Sequence, residues 1–140
     1  MKGRTQGEGT DEVTATGDVP ATLEEALARY ASPYLLTVSD AASPHVVEVS
    51  AQLAAGLLEV RGHGRRSTAN AQARSAVTVL WPALSPGGHA LIVDGRAATA
   101  EDRLFITVTR AVLHRSGDTR TAPAADQCVA NCVELGFAHG

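Results

Sequence analysis

Apolar and polar residues alternate with a period of two through most of the chain, from residue 34 to residue 114. The clearest run is HVVEVSAQL, in which Val47, Val49 and Leu53 fall on one side and polar residues on the other. Alternation of this kind indicates a strand with one buried face and one exposed face. Five further segments predict strands on the same criterion: YLLTVS, LLEVR, AVTVLW, HALIVDGRAATA and RLFITVTRAVLH.

Two segments break the alternation and predict helices. PATLEEALARYAS has Glu25 three residues after Thr22, which is the spacing of a capping box, so we predict a short amphipathic helix that ends before Pro33. STANAQARS lies between the third and fourth strands and predicts about two turns of helix with Ser67 as its N-cap. Six closely spaced strands with one internal helix predict a mainly β fold, an antiparallel barrel. Gly95 inside the fifth strand predicts a bulge or a close approach of two backbones.

The two ends of the chain differ in composition from the strand region. Residues 1–19 carry almost no large apolar side chains and predict a disordered tail, residues 20–120 predict one domain, and residues 121–140 form a C-terminal segment. The 140 residues are 44% hydrophobic and 19% charged, which suits one globular domain. Because the N-terminus has no apolar run and no segment approaches the length of a membrane span, we expect a cytoplasmic protein without a secretory signal.

Basic residues are concentrated in one segment of a chain that is acidic as a whole. The 12 Lys and Arg face 15 Asp and Glu, and the net charge of -3 argues against non-specific nucleic-acid binding. Yet RGHGRRSTANAQAR holds four arginines, and no acidic residue occurs between Arg61 and Val93. Glycines let a ligand approach the backbone, a helix start offers free N–H groups, and Arg65 and Arg66 suit phosphate oxygens. The segment therefore predicts either a site for one phosphate group or a solvated basic surface, and residue types alone leave both open.

The order of these features resembles the pyridoxamine 5'-phosphate oxidase-like family of split β-barrel flavoproteins. The similarity runs from about residue 22 to about residue 115, through YLLTVSDAASPHVVEVS, GLLEVRGHGRR, VTVLWP and ALIVDGRAATAED. The resemblance implies a six-stranded antiparallel split β-barrel with Greek-key connections and a few short helices. It also implies an FMN-binding homodimer that acts as an oxidoreductase on a small molecule, with the cofactor pocket between the subunits.

The same resemblance implies where the cofactor lies. The basic pair after the third strand, Arg65 and Arg66, corresponds to the residues that hold the FMN phosphate in that family. The ring would lie against the second and third strands, and the partner's fourth and fifth strands would complete the pocket. Burial in the core is the alternative for Trp81, and an exposed loop position is the alternative for His63. The implied cofactor contacts are Val46, Val47, Glu48, Ser50, Arg61, Gly62, His63, Arg65, Arg66, Ser67, Trp81, His89 and Ala90.

Several interpretations of the function stay open. True pyridoxamine phosphate oxidases end in an Arg-x-His segment that this chain lacks, so synthesis of pyridoxal phosphate is not implied. A related branch of the fold binds the deazaflavin F420, whose acidic tail an arginine cluster also suits. A flavin-binding or small-ligand-binding protein without turnover would use the same residues. Cys128 and Cys132, even with His139, fall short of a zinc site, so we predict no metal site and reduced thiols.

Overall fold

Strands form where the alternation predicts them in the computed structural model, which describes residues 20–116 and 130–138. The strands are β1 (Tyr34–Val38), β2 (Pro44–Glu48), β3 (Ser50–Ala54), β4 (Leu57–Arg61), β5 (Ala76–Trp81), β6 (Ala90–Ala100), β7 (Arg103–Ser116) and β8 (Ala130–Glu134). The helices are α1 (Leu23–Leu27) and α2 (Gly64–Ala73). Neither of these two helices, which are the ones in the described part of the chain, has the length and apolar composition of a membrane span. The predicted tail of residues 1–19 lies outside the described residues.

One stretch of chain forms both edges of a single antiparallel sheet. The strand order is β2-β1-β5-β6-β7-β4-β3, and β8 pairs with the end of β7. Only Val49 separates β2 from β3; its side chain is buried, and its N–H donates to the carbonyl of Pro33 (3.0 Å). Because the segment pairs with β1 before Val49 and with β4 after it, the sheet has to curl round into a barrel.

This topology confirms the predicted mainly β, antiparallel split barrel. If β2 and β3 are counted as the two halves of one bent strand, β1 to β7 provide the six predicted barrel strands. β1, β2–β3 and β4 form a meander, and the chain returns through α2 so that β5 pairs with β1. A fourth strand that comes back beside the first is the Greek-key connection that the family resemblance implied.

β8 is an addition that the alternation did not predict, and it joins the C-terminal segment to the barrel. Beyond β8, Leu135 is buried and its N–H donates to the carbonyl of Ala111 (2.8 Å). The N–H of Gly136 donates to the carbonyl of Ala21 (2.9 Å), and the N–H of Leu23 donates to the carbonyl of Gly136 (2.8 Å). The described part of the C-terminal segment, residues 130–138, therefore shares one core with residues 20–116.

α1 begins with the side-chain caps that its sequence predicts. Thr22 is the N-cap, and its hydroxyl accepts a hydrogen bond from the N–H of Glu25 (3.2 Å). The Glu25 carboxylate accepts from the N–H of Ala21 (2.9 Å), one residue further back than in the usual capping box. Leu23 and Ala26 have no exposed surface, so the inner face of this short helix is part of the core.

The core fills the barrel with inward residues from nearly every strand. Its fully buried aliphatic side chains include Leu35, Leu58, Val60, Val79, Leu91, Val93, Leu104 and Ile106. These positions are the apolar half of the period-two pattern, which is why that pattern located the strands so well.

Gly95 lets β6 pass close to β7. The pairing register shifts between Asp94 and Gly95, which confirms the predicted bulge. A Cβ atom at Gly95 would collide with the Cγ2 atom of Ile106 and with the backbone carbonyl of Thr107. Any side chain at this position therefore pushes apart two long, central strands.

Replacing Gly95 with Ala is expected to lower the free energy of unfolding by about 1–3 kcal/mol, because overpacking forces the backbone to shift. Gly136→Ala is the matched control, since the nearest atom to its new Cβ would be the carbonyl oxygen of Ala21 at 3.7 Å. The control should stay within about 0.5 kcal/mol of the wild type. Urea unfolding followed by circular dichroism compares them, and equal stability of the two variants would contradict the close approach.

Candidate functional site

α2 begins four residues earlier than the sequence predicts. Its N-cap is His63, so the predicted N-cap Ser67 lies inside the helix instead. The reason is the backbone at Gly62 and Gly64, where φ is +83° and +80°. These left-handed conformations favour glycine and turn the chain sharply at the end of β4, so the helix starts at once. The correction moves Arg65 and Arg66 from a loop into the first helical turn.

The first turn of α2 combines free N–H groups with positive charge. The His63 side chain makes no capping hydrogen bond, and the turn contains no acidic residue. Arg65 and Arg66 are both exposed there. Positive side chains at a helix N-terminus oppose the helix dipole, whereas anions are stabilised there. The arrangement is unfavourable for an isolated helix and favourable for binding an anion.

A polar cleft of about 290 Å³ separates α2 from the turn between β1 and β2. It is lined by Ser39, Ser43, Pro44, His45, Arg66 and Asn70. Arg74 ties the helix to that turn, since its Nε donates to the carbonyl of Ser39 (3.0 Å) and its Nη2 to the carbonyl of Asp40 (3.2 Å). Beneath the helix, the Asn70 amide donates to the hydroxyl of Thr37 (3.1 Å). The cleft thus has fixed walls, and its lining contains a guanidinium, an amide, an imidazole and hydroxyls but no carboxylate.

Two buried polar side chains at the start of α2 have atoms without hydrogen-bond partners. His63 is 4% exposed and Ser67 is fully buried, yet His63 Nδ1 and Ser67 Oγ are unpaired. Buried polar atoms are nearly always paired in proteins, so these two are open hydrogen-bonding positions beside the helix start. Burial lowers the pKa of His63 below its usual value, and the negative charge of Asp102 opposes the shift in part. The imidazole is therefore neutral at neutral pH.

Four of the implied ring contacts share the outer face of the barrel. Three of them alternate along the bent strand and stay exposed on both sides of the bend: Val46, Glu48 and Ser50. The fourth is Arg61, which lies opposite Ser50 in the register of β3 and β4. Val46 is 53% exposed, which is unusual for a valine in a sheet. Val47 packs against the core instead, so a ligand on the outer face has no access to its side chain.

A second cleft, of about 360 Å³, opens on this outer face. It is lined by Ser50, Ala51, Gln52, Glu59 and Arg61. Glu59 is buried, and its Oε2 accepts hydrogen bonds from Arg61 Nε (3.0 Å), Arg61 Nη2 (2.9 Å) and Arg103 Nη1 (3.1 Å). Glu59 and Arg103 are not among the site residues predicted from the sequence. The available signal was that Glu59 and Arg61 both fall on the outward side of β4.

The remaining implied contacts lie away from both clefts. Trp81 is 2% exposed and belongs to the core, so its assignment as a cofactor contact is corrected to a packing role within its own chain. His89 and Ala90 are half-buried near the start of β6, where the hydroxyl of Tyr30 donates to the carbonyl of His89 (2.9 Å). Neither residue lines either cleft, so the predicted role of both depends on a partner subunit.

Of the two cysteines, the structure describes Cys132, whereas Cys128 and His139 lie outside the described residues. Cys132 is exposed on β8, and its sulfur lies 3.2 Å from Nδ1 of His114. Within residues 20–116 and 130–138, no group of three or more His, Cys, Asp or Glu side chains is placed to hold a metal ion.

The chain is similar in sequence to two mycobacterial proteins that are described as uncharacterized. No protein-family model matches the chain. The uncharacterized protein Mb0449c of Mycobacterium bovis and the uncharacterized protein MT0457 of Mycobacterium tuberculosis are each 35% identical to it over 127 residues, covering 79% of this chain and 89% of the relative. The chain belongs to the family of these two mycobacterial proteins. A solved structure described as an F420 reductase matches 64% of this chain and 94% of its own, at 21% identity and a TM-score of 0.47.

Protonation of His63 is expected to destabilise the fold as the pH falls. Because its pKa is lower in the folded state than in the unfolded chain, the unfolded chain binds the proton first. The free energy of unfolding should therefore decrease below about pH 6.5, the ordinary pKa of histidine. In His63→Gln this part of the pH dependence should vanish. His89, whose pKa burial also lowers, stays in both proteins and cancels in the comparison.

Guanidinium unfolding of the wild type and His63→Gln from about pH 7 down to about pH 5 tests this window. Identical pH profiles for the two proteins would mean that His63 is as accessible to protons in the folded state as in the unfolded chain.

Proposed function

We propose that this protein is an FMN-binding oxidoreductase in which the first turn of α2 holds the phosphate of the cofactor. The observation that carries the proposal is the electrostatic character of that turn. α2 has 10 residues, no side-chain cap and no acid in its first turn, and Arg65 and Arg66 are exposed there. A bound phosphate would relieve the repulsion between the arginines and the helix dipole.

The residues around the helix start fit a phosphate monoester. Apart from the adjacent residues and the backbone of the helix itself, no atom of the described residues lies within 4 Å of where a Cβ would stand at Gly62 or Gly64, so an oxygen-rich group can approach the backbone closely. Arg65 and Arg66 supply forked N–H donors that match phosphate oxygens. Arg66 also lines the 290 Å³ cleft, where the Ser39 and Ser43 hydroxyls are further donors.

The rest of the cofactor would extend over the outer face of the barrel. Val46 offers exposed apolar surface on which a flat ring can lie, and Glu48, Ser50 and Arg61 offer polar groups at the same face. FMN would supply the hydride-accepting chemistry, while these residues bind and orient it. This division of labour explains why no nucleophile or acid–base pair stands out in the sequence.

A second copy of the chain would complete the pocket. The outer face of β1, β2 and β5 exposes Tyr34 (37%) and Val46 (53%) beside a cleft whose lining includes Leu36, Val38 and Ala76. Leu36 pairs with Val46, so these apolar side chains form one continuous patch. Apolar patches of this kind mark interfaces, and isologous dimers are the commonest assemblies. His89 and Ala90 of the second copy would then reach the cofactor.

F420 is the second candidate cofactor, and the extent of the basic surface favours it. α2 exposes Arg65 and Arg66, Arg74 is exposed directly after the helix, and no acid occurs from Arg61 to Val93, so the basic surface is larger than one phosphate requires. The acidic tail of F420 would use this surface. The mass of any chromophore that copurifies with the protein distinguishes FMN from F420. A bound flavin that no donor reduces would favour binding without turnover.

In the double variant Arg65→Ala/Arg66→Ala, FMN affinity is expected to fall by about a hundredfold or more. Each charge-assisted hydrogen bond is worth about 1.5–3 kcal/mol, and each 1.4 kcal/mol is about tenfold in affinity. The fold should remain, because both side chains are exposed. Flavin fluorescence titration measures the affinity, and circular dichroism measures the fold.

Riboflavin, which lacks the phosphate, is the ligand control for this experiment. It should bind the wild type more weakly than FMN does, and bind the wild type and the double variant equally. Arg110→Ala controls for the loss of a surface charge, since Arg110 is exposed on β7, lies 3.3 Å from the carboxylate of Glu134 and lines neither the 290 Å³ cleft nor the apolar patch. An FMN affinity in the double variant equal to that of the wild type would contradict the proposed phosphate site.

Sedimentation velocity at micromolar concentration is expected to show a dimer. Tyr34→Glu should shift it to a monomer, because the substitution places a charge on the apolar patch, where the interface would remove it from water. A wild-type monomer under these conditions would contradict both the interface and the shared pocket.

A further inference from the structure

The outer face of β4 and β7 holds two arginines at directly opposite positions. Arg61 pairs with Arg103 in the strand register, and like charges placed opposite each other destabilise a sheet. The buried carboxylate of Glu59 bridges them by accepting hydrogen bonds from both guanidinium groups on one oxygen, Oε2. The carboxylate is the buried member of this cluster, since the Arg61 and Arg103 side chains are 52% and 41% exposed and both guanidinium groups keep contact with water.

Glu59 fixes the orientation of Arg61 and leaves one edge of its guanidinium free. A guanidinium group carries forked donors on two edges. The edge formed by Nε and Nη2 is bound to Glu59, at 3.0 and 2.9 Å. Among the described residues, no acceptor is paired with Nη1 of Arg61, and the side chain is 52% exposed. The free edge, Nη1 with Nη2, matches the two oxygens of a carboxylate.

The cleft beside this edge suits a small organic anion. Its volume of about 360 Å³ is in the range of small-ligand pockets, and the Ser50 hydroxyl and Gln52 amide add polar groups to its lining. Two guanidinium groups and one carboxylate leave a net positive charge. Asp102 lies 3.8 Å from Arg103 Nε but its side chain is 80% exposed, so water screens its charge.

We propose that Arg61 determines specificity by binding a carboxylate group of a small molecule in this cleft, and that Glu59 is the residue that positions it. The assignment of this molecule as the substrate rests on the proposed function, because the cleft includes Ser50, at which the cofactor ring is expected. Carboxylate binding itself needs no cofactor. The substrate class is therefore a small, carboxylate-bearing organic molecule.

Binding of benzoate and its neutral isostere benzamide to the cofactor-free, full-length protein tests the site directly. We expect benzoate to bind and to shift the amide resonances of Ser50 and Gln52 in ¹H–¹⁵N spectra. Benzamide should bind at least about tenfold more weakly, because it lacks the charge that pairs with Arg61. Equal affinity for the two probes, or shifts confined to another part of the barrel, would overturn the proposal.

Substitutions at Arg61 show whether its forked edge is responsible. Arg61→Gln should weaken benzoate binding at least about tenfold, whereas the matched charge control Arg110→Gln, at an exposed residue of β7 outside the cleft, should leave it unchanged. If Arg61→Gln does not fold, Arg61→Lys decides, since it retains the charge but lacks the fork and should still weaken binding severalfold. Unchanged affinity in the folded Arg61 variant would overturn the proposal.

If Glu59 positions Arg61, replacing Glu59 should change the benzoate affinity in the direction opposite to the one that charge alone predicts. Glu59→Gln makes the cluster more positive, so attraction alone would strengthen benzoate binding. A positioning role predicts weaker binding, by about threefold or more, because Arg61 loses its charged anchor. Unchanged or tighter binding in Glu59→Gln would reject that role.

The two proposals fail separately in these measurements. Arg65→Ala/Arg66→Ala should lose FMN but keep most of the benzoate affinity, because the two exposed arginines do not line this cleft and act on it only through attraction that salt screens. If benzoate does not bind while FMN does, the carboxylate site alone is rejected. If benzoate binds as expected while FMN does not depend on the two arginines, the cofactor proposal is rejected and the carboxylate site stands.

Discussion

At Val49 one extended segment stops pairing with β1 and starts pairing with β4, and the barrel closes at that residue. The backbone hydrogen bond from Val49 to Pro33 and the burial of its side chain hold the bend in place. Side chains keep their alternation across the bend, so Val46, Glu48 and Ser50 stay on one outer face. Closure also places the end of β4 next to this face, and the glycine turn after β4 starts α2. Both clefts therefore depend on a single continuous strand.

Residues at or beside both clefts include charged and polar groups whose placement lowers the stability of the fold. Two arginines occupy the first turn of a helix, where the dipole repels them, and Glu59 is a charged group with almost no contact with water. His63 and Ser67 leave buried polar atoms unpaired beneath the same helix. Costs of this kind are tolerated where a ligand recovers them, and several of them lie at the start of α2 and at the outer end of β4. Elsewhere the described core is mainly aliphatic, although His89, near the start of β6, also has a buried ring nitrogen, Nε2, without a partner.

Features set by local pattern are predictable from this sequence, whereas features set by backbone conformation or strand register are not. Alternation located the barrel strands, because one face of each is buried. The start of α2 was misplaced since Gly62 and Gly64 adopt positive φ, which residue types permit but do not require. The ion pair between Glu59 and Arg103 could not be predicted from the sequence, because it depends on the register of β4 against β7, which places Arg103 opposite Arg61. β8 is short and joins the sheet through the end of β7, so its own pattern carried little signal.

The position of Arg61 would link the two proposed sites along the start of the acid-free segment. Arg61 ends β4 with its guanidinium anchored on Glu59, and only Gly62, His63 and Gly64 separate it from the arginines of α2. A cofactor phosphate and a substrate carboxylate would thus bind within a few residues of each other on one short segment. Two anions that close repel unless the protein supplies the compensating charge. Under the two proposals, acidic residues between Arg61 and the first turn of α2 would oppose the binding of both ligands, and the absence of acids there agrees with them.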